Sequence, residues 1–285
     1  MELGVEALQP CFAALIDVAL AVCLGGLLLR AFLPGAALAR VFHVGLTAMA
    51  VGLSGFLWSG AASMSGTEGA AVWQALPVVL TQTSFGHAML AACVAWCVFA
   101  AAFAMRRRVA FWSSAAWCAL AFVCVARAAT GHAMDAGWGS YAIWVHAVHI
   151  AAGAVWAGTV FVATGLAQSW RNWAVPLRLE VAHKISHTAT LALASVAASG
   201  VVNAWRTLGE SGIALSDPYT ALLALKLACV GLAVCMGAYN RWRVMPFLME
   251  KGVARRFAAV LLVEGLVLLV AMLLAARLGA TMPPM

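Results

Sequence analysis

Charge is scarce in this sequence. Lys, Arg, Asp and Glu together make up 9% of the residues, where a soluble domain carries about a quarter, so a solvated globular surface is excluded. Long polar stretches are missing as well. A bilayer crossing takes about 20 apolar residues, and eight crossings with short loops use up most of the 285 residues, leaving little for a soluble domain. No GxxxxGK[ST] loop is present, which excludes transport driven by ATP hydrolysis in this chain, and no HExxH or nucleophile-elbow motif points to hydrolytic chemistry. No internal repeat or low-complexity segment stands out. The eight cysteines (Cys11, Cys23, Cys93, Cys97, Cys118, Cys124, Cys229 and Cys235) all fall in apolar segments, so they reveal neither a disulfide pattern nor a redox compartment. The first apolar segment follows Glu2 and Glu6 rather than a basic region and is long enough to span, so it is expected to stay in the mature protein.

What the chain has in abundance is apolar sequence, 65% of it. The expected fold is all-α: a single transmembrane domain over 1–285, surrounded by lipid, with about eight spans. Apolar runs place them near 8–29, 37–58, 84–105, 109–130, 141–167, 184–205, 219–240 and 255–277. The formal charge of +7 does not indicate nucleic acid, because the basic residues are spread over four short loops between apolar runs. Those loops hold Arg30 and Arg40; Arg106 to Arg108; Arg171, Arg178 and Lys184; and Arg241, Arg243, Lys251, Arg255 and Arg256. By the positive-inside rule they face the cytoplasm, which puts both termini outside. Glu2, Glu6, Glu68, Asp135, Glu210 and Asp217 then fall on the outer side.

The longest outer connection, 59–83, carries Met64, Trp73 and Pro77. Its 72–80 stretch is expected to form a short interfacial helix, and the connection is the natural lid over an outer site. Tryptophans such as Trp58, Trp112, Trp138, Trp173, Trp205 and Trp242 sit near span ends, as an aromatic belt requires.

Polar side chains inside lipid are costly and default to functional candidates. All seven histidines lie in or beside spans. His87, His132, His146 and His149 belong to the outer half, and His43, His183 and His187 to the inner half. His146 and His149 are three residues apart, about 300° of helical turn, so both can point at one spot, with Gly153 and Trp156 close to the same stripe. Met64, Met89, Met134, Met282 and Met285 gather on the outer side too. Imidazole with thioether is a ligand set that suits copper, thioether favouring Cu(I) and imidazole accepting either oxidation state. The plainer reading is that the histidines are hydrogen-bonding glue between helices and the methionines fillers. The expected ligands are His132, His146 and His149, with His87 and Met134 next.

Met89, Cys93 and Cys97, spaced by four, form a sulfur stripe down the third span that either packs or hands Cu(I) inward; His87 lies about 200° round from Met89 and outside it. Asp17, Glu264 and Lys226 fall within spans, where they form a buried ion pair, stay neutral, or line a hydrated cation path. Histidine pairs also hold haem in helical bundles, so a b-type cytochrome or membrane reductase is the alternative, with His43 and His183 or His187 at an inner haem and His87 with His146 or His149 at an outer one. His183 and His187 share one helix face, so the second ligand of an inner haem must come from another helix.

The fifth span reads His149-Ile-Ala-Ala-Gly-Ala-Val-Trp156-Ala-Gly158, which resembles the CopD-family pattern of His followed seven residues later by Trp and then small residues. Thr130-Gly131-His132-Ala133 resembles the family's Gly-His motif at the outer end of the preceding helix. Ile185-Ser186 leading to Ser199-Gly200-Val201-Val202-Asn203-Ala204 is similar to its Phe-Ser start and Gly-x-x-Asn-Ala end. Asp217-Pro218-Tyr219, Leu225-Lys226-Leu227 and Asn240-Arg241 with Pro246 follow in the family's order. The likeness runs from about 80 to the C-terminus and is strongest over 130–248. Thr220 stands where Gly is usual, Ile185 where Phe is usual, and His87 adds an imidazole that the pattern does not certify. The resemblance implies a multi-pass bacterial inner-membrane protein that moves copper, not an enzyme, with import from the periplasm as the expected direction and a small periplasmic copper carrier of the CopC kind as partner. It also maps two of the family's histidines to His132 and His149.

Overall fold

The computed structural model describes residues 8–32, 35–108, 110–166, 173–209, 216–250 and 252–284, and all its regular elements are helical. Among these residues nine α-helices follow one another: α1 (Gln9–Leu29), α2 (Gly35–Ser65), α3 (Val72–Gln82), α4 (Ser84–Ala104), α5 (Trp112–Ala128), α6 (Tyr141–Gly165), α7 (Val175–Leu208), α8 (Pro218–Tyr239) and α9 (Val253–Gly279). Seven of them, all except α3 and α5, are long and apolar enough to cross a bilayer. The eighth apolar helix, α5, has 17 residues, roughly 25 Å at 1.5 Å per residue, and packs along α4. The chain is a polytopic α-helical membrane protein. Arg171, Lys251, Glu2, Glu6, Glu210 and Met285, counted above among the loop and tail residues, lie outside the described residues.

Local sequence sets the helix ends. Pro10 and Pro176 occupy first turns, where a missing N–H costs nothing. Thr83 caps α4 by accepting from the Gly86 N–H at 2.9 Å, and Asp217 caps α8 by accepting from the Thr220 N–H at 2.9 Å. Gly252 precedes α9 at φ +90°, a conformation that disfavours any side chain.

The bundle is organised around α1, which packs most extensively against α6 and α2 and also meets α9 and α5. Small residues allow this. A methyl group at Gly25 or at Gly158 would overlap the backbone of the facing helix, so α1 and α6 touch main chain to main chain, as small-residue interfaces in lipid do. Phe42 of α2 packs with Phe99 and Phe103 of α4 and Trp112 of α5. By contrast α7 leans chiefly on α6, and α8 chiefly on α9, with no extended interface between α7 and α8. Leu191, Val201, Leu225 and Leu232 on these two helices are exposed, the pattern of a lipid face.

Chain direction gives the bundle two ends. One carries α3 and the connection 129–140; the other carries Arg30, Arg106, Lys184 and Arg241. They are called here the α3 end and the basic end.

Two expectations need correction. The 59–83 connection is mostly helix: α2 continues to Ser65 and α3 starts at Val72, so only 66–71 joins them. The apolar run simply persists past residue 58 until Gly66, at φ +62°, ends it. The interfacial helix expected at 72–80 is α3, longer by two residues, and its Trp73 packs edge-on against Trp58 with ring centroids 4.9 Å apart. The sixth span, expected from 184, begins at Val175, because a polar first stretch with Arg178, Glu180 and His183 is carried at the basic end.

Candidate metal centre

His146 and His149 project from α6 toward α7. Their rings lie parallel, 10° apart in plane, with centroids separated by 6.3 Å. Three α7 residues, all within the Ser199-Gly200-Val201-Val202-Asn203 run, receive them. The Nδ1 of His149 lies 3.1 Å from the Ser199 hydroxyl, and the Asn203 amide lies 3.4 Å from the Nδ1 of His146. Gly200 leaves room for the ring: a methyl there would meet the His149 Cε1 at 3.2 Å.

The hydroxyl's own bond favours one tautomer. Ser199 donates to the Ser195 carbonyl at 2.5 Å, so toward His149 it accepts, and His149 carries its proton on Nδ1. The Nε2 lone pair of His149 is then free for a metal, the arrangement by which outer partners orient a ligating histidine. Asn203 offers a donor nitrogen and an acceptor oxygen, so it matches either tautomer of His146.

Ionisable side chains of the neighbouring helices act on the pair. Asp17 of α1 and Arg127 of α5 form a two-pronged ion pair, Arg127 Nε donating to one carboxylate oxygen at 3.0 Å and Nη2 to the other at 3.3 Å. Both side chains are largely buried, and Arg127 also donates to Thr130 at 3.0 Å and lies over the Phe56 ring. Lys226 of α8 acts electrostatically on Asp17, His146 and His149, and Arg127 and Arg206 act on His146. Asp17 therefore has a partner in Arg127 that the sequence reading did not provide.

The other expected ligands sit elsewhere. His132 opens a 3₁₀ turn, His132–Ala136, and its Nδ1 lies 3.6 Å from the Asp135 carboxylate at the exposed α3 end. Met134 in the same turn packs against a small cluster containing Ala88, Ala129 and Ile143. The exposed His87 ring meets the Thr81 carbonyl at 3.1 Å. Among the described residues no three His, Cys, Asp or Glu side chains are grouped to hold a metal ion; His146 and His149 form a pair, and His87 and His132 are exposed.

Along the expected path, Met89 is buried in the core, Cys93 half-buried and Cys97 exposed, because a spacing of four drifts about 40° per step round the helix. Two turns beyond His149 on α6, the Trp156 indole donates to the buried Glu264 carboxylate of α9 at 3.4 Å. This explains the Trp in the His-x₆-Trp spacing as an anchor between α6 and α9. At the basic end, His183 and His187 line a vestibule of about 1090 Å³ with Arg30, Lys184 and Arg241, while His43 packs edge-on against Phe103.

Residues 179–278 match the family model described as CopD, Copper resistance protein D. The matched family is one of copper-resistance membrane proteins. The matched stretch contains Ser199, Gly200, Asn203, Lys226, Asn240 and Glu264, whereas the four histidines at the α3 end precede it. No curated protein and no solved structure gives a significant match.

Proposed function

We propose that this membrane protein, whose residues 179–278 carry the CopD pattern, moves copper across the bacterial inner membrane from the periplasm toward the cytoplasm, with the His146–His149 pair as its intramembrane copper position. The observation that carries this reading is the pair itself: two parallel imidazoles inside the bundle, held at their Nδ1 edges by Ser199 and Asn203 of the matched segment. His132, Met134 and His87 form the approach at the α3 end, where a periplasmic carrier of the CopC kind releases its cargo. Met64 at the end of α2 is exposed on the same side.

Charge favours the lower oxidation state. Arg127, Lys226 and Arg206 all act on His146 and oppose a bound cation, and Asp17 carries charge to offset only one of the three. A singly charged, soft Cu(I) suffers less from this field than Cu(II) and accepts imidazole ligands.

Metal analysis with an optical spectrum of the purified protein tests the proposal. Bound copper with no Soret band is expected; a Soret band with no copper would replace this reading by the haem one. The orientation carries a separate expectation. A membrane-impermeant label should reach a site near Glu68 or Asp135 from outside and fail to reach the 106–108 turn. Equal labelling of both from one side would invalidate the assignment of the α3 end to the periplasm.

A further inference from the structure

Between α6, α7, α8 and α9 lies a second cavity of about 420 Å³, most of whose walls are apolar. Its polar groups are Ser186 and Thr190 of α7, Asn240 and Arg241 of the π turn that ends α8, and Glu264 of α9. Asn240 is 4% exposed, yet neither its amide nitrogen nor its amide oxygen has a hydrogen-bond partner. Glu264 is 3% exposed and its one side-chain bond is the long one from Trp156. Opposite it α8 presents Gly237, where even a methyl group would stand 3.5 Å from the carboxylate.

A buried amide without any partner and a buried carboxyl group with one long hydrogen bond are unfavourable in a mostly apolar space, so a polar occupant must complete them. The space has room for roughly a dozen waters at about 30 Å³ each. Its walls also show where that water comes from. Ser186, Arg241, Trp242 and Met245 line both this cavity and the vestibule at the basic end, so the two spaces adjoin. Arg241 is the one other charged group in the lining, and it is turned toward α7, donating to Ser186 at 3.2 Å and Thr190 at 2.9 Å. Neither α6 nor α1, which also packs on α9, adds an ionisable group to the walls.

We infer that this cavity is a water-filled proton site open to the basic end, in which Glu264 exchanges a proton with water that Asn240 holds in place. The exchange makes and breaks only O–H bonds: a hydronium ion of the vestibule passes a proton through the cavity water to the carboxylate, leaving water, and the carboxyl group returns it to water the same way. The site stands independently of copper at His146 and His149, which lie about two to three turns from Trp156 along α6.

Infrared spectroscopy of the full-length protein in lipid tests it. We expect one protonated-carboxyl band that shifts in D₂O, changes in intensity with pH, and is lost in Glu264→Gln, whose amide keeps the Trp156 contact. Asn240→Ala should shift the same band. A band that Glu264→Gln leaves intact, that fails to exchange with D₂O, or that responds to sodium rather than to pH would overturn the inference. Carbodiimide labelling of the wild-type protein provides a second readout that does not depend on assembly of Glu264→Gln. The reagent attacks the protonated acid, so modification mapped to Glu264 should increase as pH falls, and pH-independent labelling or none would also overturn the proposal.

Discussion

The His146→Ala/His149→Ala protein is expected to lose most of its bound copper while keeping its helical content and its elution on gel filtration. Both imidazoles are half-buried between α6 and α7, and their removal takes away the only paired nitrogen ligands at the α3 half of the bundle among the described residues. Ser199→Ala/Asn203→Ala should give a graded result, since outer-partner changes typically weaken metal affinity about 10- to 100-fold. His132→Ala should leave the equilibrium copper content near that of the wild type and slow its loading. Copper analysis of the three variants separates the possibilities. Unchanged copper in the His146/His149 variant would remove the site, and a loss confined to His132→Ala would move it out to the 132–136 turn.

Asp17→Ala should cost the protein about 3–5 kcal/mol, because it leaves the Arg127 guanidinium buried and without its carboxylate. The pair ties α1 to α5 with two hydrogen bonds, and Arg127 has Thr130 and the Phe56 ring as further contacts. A lowered unfolding midpoint in detergent is the expected result. Replacing both partners, Asp17→Leu with Arg127→Leu, should recover much of the loss, since exchanging a whole buried pair for apolar groups is often neutral or favourable. If Asp17→Ala melts like the wild type but transports poorly, the carboxylate belongs to the ion path and not to the scaffold.

Which parts of this were legible in sequence follows from physical range. Each helix recognised as a span is a local apolar run, and its hydropathy needs no partner to be seen. The convergence of His146 and His149 was legible too, because three residues of helix fix their relative direction. Arg127 was not: it lies inside an apolar run, and its neutralising partner is 110 residues away. Ser199 and Asn203 were visible as part of a pattern but had no role, since what they hold lies on another helix. His132 and His149 shared a membrane half in sequence, but depth fixes only one coordinate. The lateral position depends on helix packing, which put one at the exposed rim and the other between helices. The same limit hid Asn240, whose unpartnered amide becomes conspicuous only when the cavity around it is known.

The division of contacts among the last helices has a mechanical meaning. Along most of their length α7 and α8 are neighbours without being bonded, and they are fastened at their extremities, by Arg241 to Ser186 and Thr190 at the basic end and by the Tyr219–Thr207 hydrogen bond at the α3 end. The region between the two fasteners is sparsely packed and stands away from the α1–α6 spine, with Leu191, Val201, Leu225 and Leu232 turned toward the acyl chains. Stiffness is concentrated in the glycine-to-glycine crossing, and compliance in a seam laced only at its two rims.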